Sequence, residues 1–138
     1  MDTFFNDEPL LEKLKHHYTK NGRIIIAYDF DDTVAPTYMS KSCDDVIKIL
    51  KDMRPYASFI CFTSNERPEK AKSYLKEKDI PCDAFNDNVD WMMERYGHMR
   101  KVYFHILLDD KAGLGQAYRI LNKFLEWLKS NSQDVSIN

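Results

Sequence analysis

The sequence predicts an α/β domain of three layers, with a central parallel sheet of about four strands and helices on both faces. Two observations lead to this prediction. Short apolar runs alternate along the chain with segments of helical periodicity, and the runs "RIIIAYDF" and "ASFICFTSN" are rich in β-branched and aromatic residues. Alternation of this kind indicates parallel strands joined by right-handed crossovers, which bring the carboxyl ends of all strands to one edge.

The size and composition of the chain agree with a single globular domain. A chain of 138 residues suits one core, so we treat residues 1–138 as one domain; 43% of the residues are hydrophobic and 30% are charged. The net charge of -2 lacks the basic excess of nucleic-acid-binding proteins, although a nucleotide or a nucleic-acid end stays open as a substrate. Short apolar runs argue against a membrane span, and three cysteines without a C-x-x-C motif favour reduced thiols in the cytoplasm.

The first half of the chain is predicted to hold two helices and two strands. A helix over about residues 8–20 has leucines at helical spacing and stops at Gly22. The apolar run "RIIIAYDF" is the first strand, buried on both faces. In "SCDDVIKILKDMRP", Ser42 and Asp45 have the spacing of a capping box at the start of the next helix, and "ASFICFTSN" is the second strand.

The second half continues the alternation. A third helix starts near Pro68, because proline suits a first helical turn, and "CDAF" is a short third strand. The segment "VDWMMERYG" is a short helix that ends at Gly97, and "KVYFHILLDD" is the fourth strand. A long amphipathic helix follows, whose apolar stripe over 124–128 is core or a contact in a homo-oligomer. Residues from about 131 to 138 are predicted to form a polar tail.

Polar side chains follow three of the predicted strands. Because open parallel sheets bind ligands at the carboxyl ends of their strands, we expect these side chains to form one site. Two carboxylate clusters on that edge suit Mg²⁺, which would also offset the repulsion between them, and a neighbouring hydroxyl can donate to a phosphoryl oxygen. The side chains are Asp29 and Asp31 after the first strand, Thr63 and Ser64 after the second, and Asp109 and Asp110 after the fourth.

Three motifs at these positions resemble those of the haloacid dehalogenase (HAD) superfamily. "AYDFDDTV" resembles its first motif, D-x-D-x-T/V after an apolar strand, and "FICFTSN" resembles its second, an apolar strand ending in Thr or Ser. "HILLDDK" resembles the fourth motif, an apolar strand ending in an acidic pair. The motifs come in the family's order and span residues 24–111. The resemblance implies a three-layer Rossmann-like fold and a Mg²⁺-dependent phosphohydrolase acting on a phosphomonoester.

The resemblance also implies a role for each carboxylate. Asp29 would attack phosphorus and form an aspartyl-phosphate, while Asp31 would protonate the leaving oxygen and later activate water. Asp109 would complete the Mg²⁺ site together with the carboxylate of Asp29 and the main-chain carbonyl of Asp31. Asp110 would be an outer or additional ligand.

The third family motif, a lysine that neutralises the phosphate and the nucleophile, has no counterpart in the segment "FNDNVDWMMERYG". Lys101 begins the predicted fourth strand and would lie roughly 25 Å from Asp109 at about 3.3 Å per residue, at the wrong edge. We therefore expect another basic residue to approach the phosphate. The phosphate-binding candidates are Thr63 and Ser64, with Lys111 or Arg67 ranked first as the cation and Lys70 next, while Asn86 or Asn88 would take part without charge.

The connections between these motifs are too short to hold a cap domain. Only 29 residues (34–62) lie between Thr33 and Thr63, and a helix, its loop and the second strand use them. The stretch from Asn65 to Val102 is similarly economical. A capless member has an open site, which is consistent with a macromolecular or phosphorylated-end substrate or with a cap supplied by a partner subunit. A small phosphorylated molecule also stays open as a substrate.

Two alternatives of other classes remain. A response-regulator receiver domain also has an acidic cluster on an α/β sheet. It should carry its phospho-acceptor on the third strand and a lysine on a fifth, so a count of four strands fits it poorly. The second alternative is a HAD-like protein that binds a metal or a partner with weak or no turnover, and the missing third-motif lysine favours it.

Other polar residues are interpreted as ordinary structure. Asp32 is expected to be a turn residue, because aspartate tolerates turns well. The sequence "GLG" carries only half of a dinucleotide-binding fingerprint. The histidines have no metal-ligand spacing; they are His16, His17, His98 and His105.

Overall fold

The structure is a computed structural model that describes residues 6–37 and 40–137, and within them all side chains except those of 40–42 and 132–137. No helix in these ranges is long and apolar enough to span a membrane. Short 3-10 turns occur at Arg54–Tyr56 and Asp90–Met92. In chain order the helices and strands are α1 (Asp7–Asn21), β1 (Ile24–Tyr28), α2 (Ser40–Asp52), β2 (Ala57–Cys61), α3 (Pro68–Glu77), β3 (Ala84–Phe85), α4 (Met93–Tyr96), β4 (Ile106–Leu108) and α5 (Leu114–Ile137).

The four strands form one parallel sheet in the order β3-β2-β1-β4. β1 pairs with β2 along its whole length, with Ile24 opposite Ala57, and pairs with β4 on its other side, with Ile26 opposite Ile106. Every residue of β1 and β2 is buried, as their unbroken apolar runs predict. The predicted fold class, an α/β domain with a parallel sheet of four strands, is confirmed.

The two faces of the sheet are covered unequally. α1, α2, α3 and α5 contribute to the larger core, together with Ile24, Ile26 and Tyr28 of β1. The opposite face carries Ile25 and Ala27 and is covered by residues of the connection between β3 and β4. Because β3 and β4 lie on opposite sides of β1, this connection must cross the sheet, and the short α4 is the only α-helix the structure describes in it. The third layer of the fold is therefore thin.

The predicted helix boundaries hold at some ends and not at others. α1 ends at Gly22, which has a φ of 78° and donates its N–H to the carbonyl of Tyr18 at 2.7 Å, a common way to close a helix. α3 begins at Pro68 as predicted. α2 begins at Ser40, so Ser42 lies inside the helix and the predicted capping box is wrong. No proline or glycine separates these two serines, so nothing in the chain prevents the earlier start.

The C-terminal helix differs from its prediction in length. α5 continues to Ile137, so the backbone of the segment predicted as a polar tail from about residue 131 is helical. Polar residues are compatible with an exposed helix, and no glycine or proline lies in this segment to end it. The apolar stripe belongs to the core, because Phe124 and Leu128 are buried and Trp127 packs against the same cluster.

β4 is shorter than predicted, because a side chain takes over one of its hydrogen bonds. The main-chain N–H of His105 donates to the carbonyl of Ile25 at 2.9 Å, but the N–H of Ile25 donates to the His105 ring Nδ1 at 2.8 Å. The ring takes the place of a main-chain acceptor, so the ladder begins only at Ile106. The prediction that Lys101 begins this strand is wrong; it lies exposed in the preceding loop.

Candidate functional site

The carboxyl ends of three strands meet at one edge of the sheet. Asp29 follows β1, and its N–H donates to the carbonyl of Leu108, the last residue of β4, at 2.9 Å. On the other side, the N–H of Phe62 after β2 donates to the carbonyl of Tyr28 at 2.8 Å. These bonds continue the ladder one residue past the strands. The residues that follow β1, β2 and β4 are therefore held side by side.

Three carboxylates gather at this edge. Asp29, Asp109 and Asp110 each offer one oxygen, and these oxygens lie within 4.8 Å of one another. The first two side chains are half-buried and the third is exposed. Carboxylate oxygens are the ligands that Mg²⁺ prefers, and this spacing suits one shared cation. The donor set therefore fits the metal that the sequence analysis predicts.

The cluster carries an electrostatic penalty. Burial, together with the negative charge of Asp109, raises the pKa of Asp29 to about 6. Hydrogen bonds from the Phe30 main chain and the Thr63 side chain act in the opposite direction. A bound cation would favour the ionised carboxylate and remove the repulsion.

Asp110 is tied to the loop that follows β1 through Thr33. The Thr33 side chain is fully buried, and its hydroxyl oxygen accepts the main-chain N–H of Asp110 at 3.2 Å. The same hydroxyl donates to Oδ1 of Asp110 at 3.4 Å. No role is predicted for this threonine from the sequence. The only signal for it is its place as the last position of the quoted first motif.

The carboxylate of Asp31 lies outside the three-carboxylate cluster. It is exposed, and Nδ2 of Asn65 donates to its Oδ2 at 3.0 Å. Asn65 is itself held, because its N–H donates to Oγ1 of Thr63 at 3.1 Å and its Oδ1 accepts the N–H of Arg67 at 2.7 Å. Asp31 was predicted both as a proton donor and among the metal ligands. The side chain contacts Asn65 in the loop after β2 and its carboxylate is not one of the three gathered carboxylates, so a metal contact through the main-chain carbonyl stays a prediction.

Asp32 has the turn role predicted for it. Its φ is 58°, in the left-handed region that aspartate tolerates better than most residues. Its carboxylate accepts the N–H of Thr37 at 2.7 Å and the Thr37 hydroxyl at 2.5 Å. The carbonyl of Phe30 accepts the N–H groups of the three residues 33–35, so the loop is compact.

Thr63 lies where the sequence analysis places it, beside the candidate nucleophile. It is half-buried, its side chain acts to lower the pKa of Asp29, and its N–H donates to Oδ1 of Asn86 at 2.7 Å. Ser64 follows it and is exposed. Asn86 therefore supports the threonine and has a φ of 51°, which marks a tight turn after β3.

The Asn88 side chain joins two parts of the connection between β3 and β4 through hydrogen bonds. It is 1% exposed; its Nδ2 donates to the carbonyl of Gly97 at 2.7 Å, and its Oδ1 accepts the N–H of Tyr103 at 2.6 Å. Its amide is thus used by the crossover connection. The alternative that Asn88 assists phosphate binding finds no support in these contacts.

The three basic candidates flank the carboxylates without pairing to them. The Lys111 main chain donates to Oδ1 of Asp109 at 2.9 Å, while its side chain is exposed. Arg67 and Lys70 line a groove beside Asn65. Across residues 6–37 and 40–137, none of the three side chains forms an ion pair. The cation that replaces the third-motif lysine stays a prediction.

Comparison with known proteins supports the fold. No protein-family model and no curated protein matches the chain. A solved structure of a conserved protein from Bacteroides thetaiotaomicron is similar, with a TM-score of 0.56 and 18% sequence identity, over 73% of this chain and 91% of that chain. The fold is Rossmann-like. At this identity the likeness extends to architecture alone.

Proposed function

We propose that the protein is a Mg²⁺-dependent phosphohydrolase of the HAD type that acts on a phosphomonoester. The observation that carries the proposal is that Asp29, Asp109 and Asp110 meet at the carboxyl edge of the sheet. One carboxylate oxygen of each lies within 4.8 Å of the others. Asp31 is held apart from them by Asn65. One group of carboxylates is thus available for a metal, and a separate carboxylate is available for proton transfer.

The proposed chemistry uses two displacements at phosphorus. A carboxylate oxygen of Asp29 attacks phosphorus, the bond to the ester oxygen breaks, and that oxygen takes a proton from Asp31. Asp31 then removes a proton from water, which attacks the aspartyl-phosphate, restores Asp29 and releases inorganic phosphate. Bound Mg²⁺ supplies charge stabilisation for the transferring phosphoryl group. The Thr63 hydroxyl is placed to donate to a phosphoryl oxygen.

The proposal includes an open site in a cytoplasmic enzyme. In the described residues, the chain between β1 and β2 forms α2 and a 3-10 turn, and the chain between β2 and β4 forms α3, β3, a second 3-10 turn and α4. These elements belong to the sheet and its two covering layers. The substrate is therefore a small phosphomonoester or a phosphorylated macromolecular end, and a homo-oligomer stays a prediction.

A second candidate function is metal or partner binding with weak or no turnover. The observation that favours it is the lack of any described ion pair between the site carboxylates and Arg67, Lys70 or Lys111. A phosphohydrolase of this type gains charge stabilisation from such a cation as well as from the metal. The two functions differ in turnover and not in metal binding.

The deciding experiment is hydrolysis of p-nitrophenyl phosphate with Mg²⁺ and with EDTA. We expect Mg²⁺-dependent release of nitrophenol, reduced at least about a thousandfold in Asp29→Asn because the nucleophile is lost. Asp32→Asn is the matched control, since it changes a neighbouring carboxylate that serves the turn. Turnover retained in Asp29→Asn would refute the nucleophile, and Mg²⁺ binding without turnover would favour the second candidate.

A further inference from the structure

Two grooves of similar size flank the candidate site and differ in charge. The α5-side groove, of about 420 Å³, is lined by three carboxylates, those of Asp32, Asp45 and Asp110. The α3-side groove, of about 400 Å³, is lined by Asn65 and by two cationic side chains, Arg67 and Lys70. An anionic part of a substrate is repelled by the first groove and attracted by the second.

The position of Asp31 indicates which groove receives the leaving group. This step rests on the proposed function, in which Asp31 gives its proton to the leaving oxygen. Its carboxylate is bonded to Asn65 at 3.0 Å, and Asn65 is part of the lining of the α3-side groove. Since a proton donor must lie within hydrogen-bond reach of the atom it protonates, the leaving group departs toward that groove.

One wall of the α3-side groove is aromatic, and its side chains are held in place by contacts with each other and with the loop after β1. Its aromatic rings, Phe30 and Tyr74, meet edge to face with centroids 5.4 Å apart. The Tyr74 hydroxyl donates to the carbonyl of Val34 at 3.3 Å, which fixes this ring against the loop that carries Asp31. Such a surface suits a planar apolar group.

The cationic and anionic side chains of the α3-side groove lie at opposite ends of it. The guanidinium of Arg67 and the ammonium of Lys70 form no ion pair within the described part of the chain. Glu77 also lines the groove, but it lies seven residues beyond Lys70 on α3, roughly 10 Å farther along the helix axis at about 1.5 Å per residue. The cationic end is therefore the end next to Asn65 and the reacting centre.

We propose that the α3-side groove is the leaving-group site, and that it selects phosphomonoesters whose leaving group carries a second anionic group on a planar apolar body. The apolar body lies against Phe30 and Tyr74. The second anion lies between Arg67 and Lys70, where charge-assisted hydrogen bonds are strongest.

The test compares two non-hydrolysable ligands, benzylphosphonate and 3-carboxybenzylphosphonate, by calorimetry in the presence of Mg²⁺. The two differ only in the second anion, so the ratio of their affinities reports the groove without requiring turnover. We expect the carboxylated ligand to bind about tenfold more tightly to the wild-type protein, and the double variant Arg67→Gln, Lys70→Gln to abolish the difference.

Lys72→Gln is the matched control, because Lys72 lies on the same helix but pairs with Glu69 and contacts the ring of Phe85. The Lys72→Gln protein should still bind 3-carboxybenzylphosphonate more tightly than benzylphosphonate. Equal affinities in the wild type, failure of both ligands to bind, or a preference that survives the double variant would each overturn the proposal. If the protein does not hydrolyse p-nitrophenyl phosphate but still prefers the carboxylated phosphonate by the expected affinity ratio, only the enzyme function is refuted. The groove then remains a site for doubly anionic ligands.

Discussion

The two edges of the sheet differ in how their polar side chains are arranged. At the carboxyl edge, one carboxylate oxygen from each of Asp29, Asp109 and Asp110 lies within 4.8 Å of the other two, although the three charges repel one another. At the amino edge, a guanidinium nitrogen of Arg23 donates to the Ser58 hydroxyl at 3.0 Å, and the indole N–H of Trp91 donates to the same oxygen at 3.1 Å.

The contrast separates stability from proposed function within one small sheet. At the amino edge the Ser58 hydroxyl accepts hydrogen bonds from Arg23 and Trp91, so removing it takes an acceptor from both. The carboxylates at the carboxyl edge also accept hydrogen bonds, as Asp109 does from the Lys111 N–H, but they repel one another, so neutralising one relieves that repulsion. We therefore expect substitutions at the carboxyl edge to reduce activity at constant stability, and substitutions at the amino edge to do the reverse.

The largest expected effect is at the carboxyl edge. Asp109→Asn should weaken Mg²⁺ binding at least about tenfold and abolish most turnover, because it removes a charged ligand. The metal-free protein should be as stable as the wild type or more stable. Mg²⁺ titration calorimetry and urea unfolding measure the two quantities.

Asp45→Asn is the control for this variant, since Asp45 is an exposed carboxylate of the α5-side groove outside the cluster. It should leave Mg²⁺ affinity unchanged. An Asp109→Asn protein with wild-type Mg²⁺ affinity would remove Asp109 from the proposed metal set, and a strongly destabilised one would show that this edge also supports the fold.

The matching change at the amino edge is Ser58→Ala. Ser58 is 3% exposed and accepts two hydrogen bonds, so its loss should cost about 1–3 kcal/mol of unfolding free energy. Turnover should stay within about twofold of the wild type. Urea unfolding checks the first expectation, with Thr19→Ala on the exposed side of α1 as the control. A loss of turnover at unchanged stability would contradict the separation of the two edges.

The start of β4 predicts a pH effect that arises at the amino edge, from His105. Burial, together with the charge of His17, whose ring stacks on it at 4.3 Å, lowers the pKa of His105 to about 4. The ring also lies against Tyr103, at 5.2 Å between centroids, and Lys13 lines the same cavity. An unfolded histidine titrates near pH 6.5.

Between about pH 6.5 and about pH 4 the unfolded chain therefore binds a proton at His105 that the folded chain does not. The contribution of His105 to stability is fully present above this window and falls as the pH is lowered through it, by about 1 kcal/mol after allowance for solvent screening, whereas the raised pKa of Asp29 acts in the opposite direction. His105→Asn keeps an acceptor for Ile25 and should flatten this part of the profile. Urea unfolding across the window, with exposed His16→Asn as control, tests it; an unchanged slope would contradict the assignment.

The smallest expected effect is at the exposed ion pair of the amino edge. Arg54 bonds to Oδ1 of Asp79 at 3.0 Å and to its carbonyl at 2.7 Å, but both side chains are largely exposed. Arg54→Gln should therefore cost less than about 1 kcal/mol, and less still at high salt. Thermal unfolding at two salt concentrations measures this. A larger, salt-independent loss would show that the bond to the Asp79 carbonyl matters more than the charge.

The fold could be predicted because its central strands are simple. The runs over 24–28 and 57–61 are uniformly apolar, and burial on both faces of a parallel sheet is the arrangement that such runs favour. The start of β4 could not be predicted in the same way. There a ring nitrogen competes with main-chain carbonyls, and hydrophobic periodicity does not report such a bond.

The candidate site could be predicted in part for a related reason. Asp29 and Asp109 follow buried strands, so topology alone places them at one edge. The contact of Asp31 with Asn65 joins residues 34 positions apart in two loops, and only the three-dimensional path of both loops determines it. The bond between Thr33 and Asp110 spans 77 positions and is invisible in the sequence for the same reason.

The bond between the His105 ring and the Ile25 N–H also bears on which insertions and deletions the chain tolerates. β4 has three ladder residues, so little else determines which of its residues lies opposite β1. Loss of one residue within 106–108 would shift the acidic pair by about 3.3 Å and turn each side chain to the other face. The same loss within the loop at 98–101 would leave that alignment intact. Length variation among natural or engineered versions of this chain should therefore concentrate before His105 and be excluded between it and Asp109.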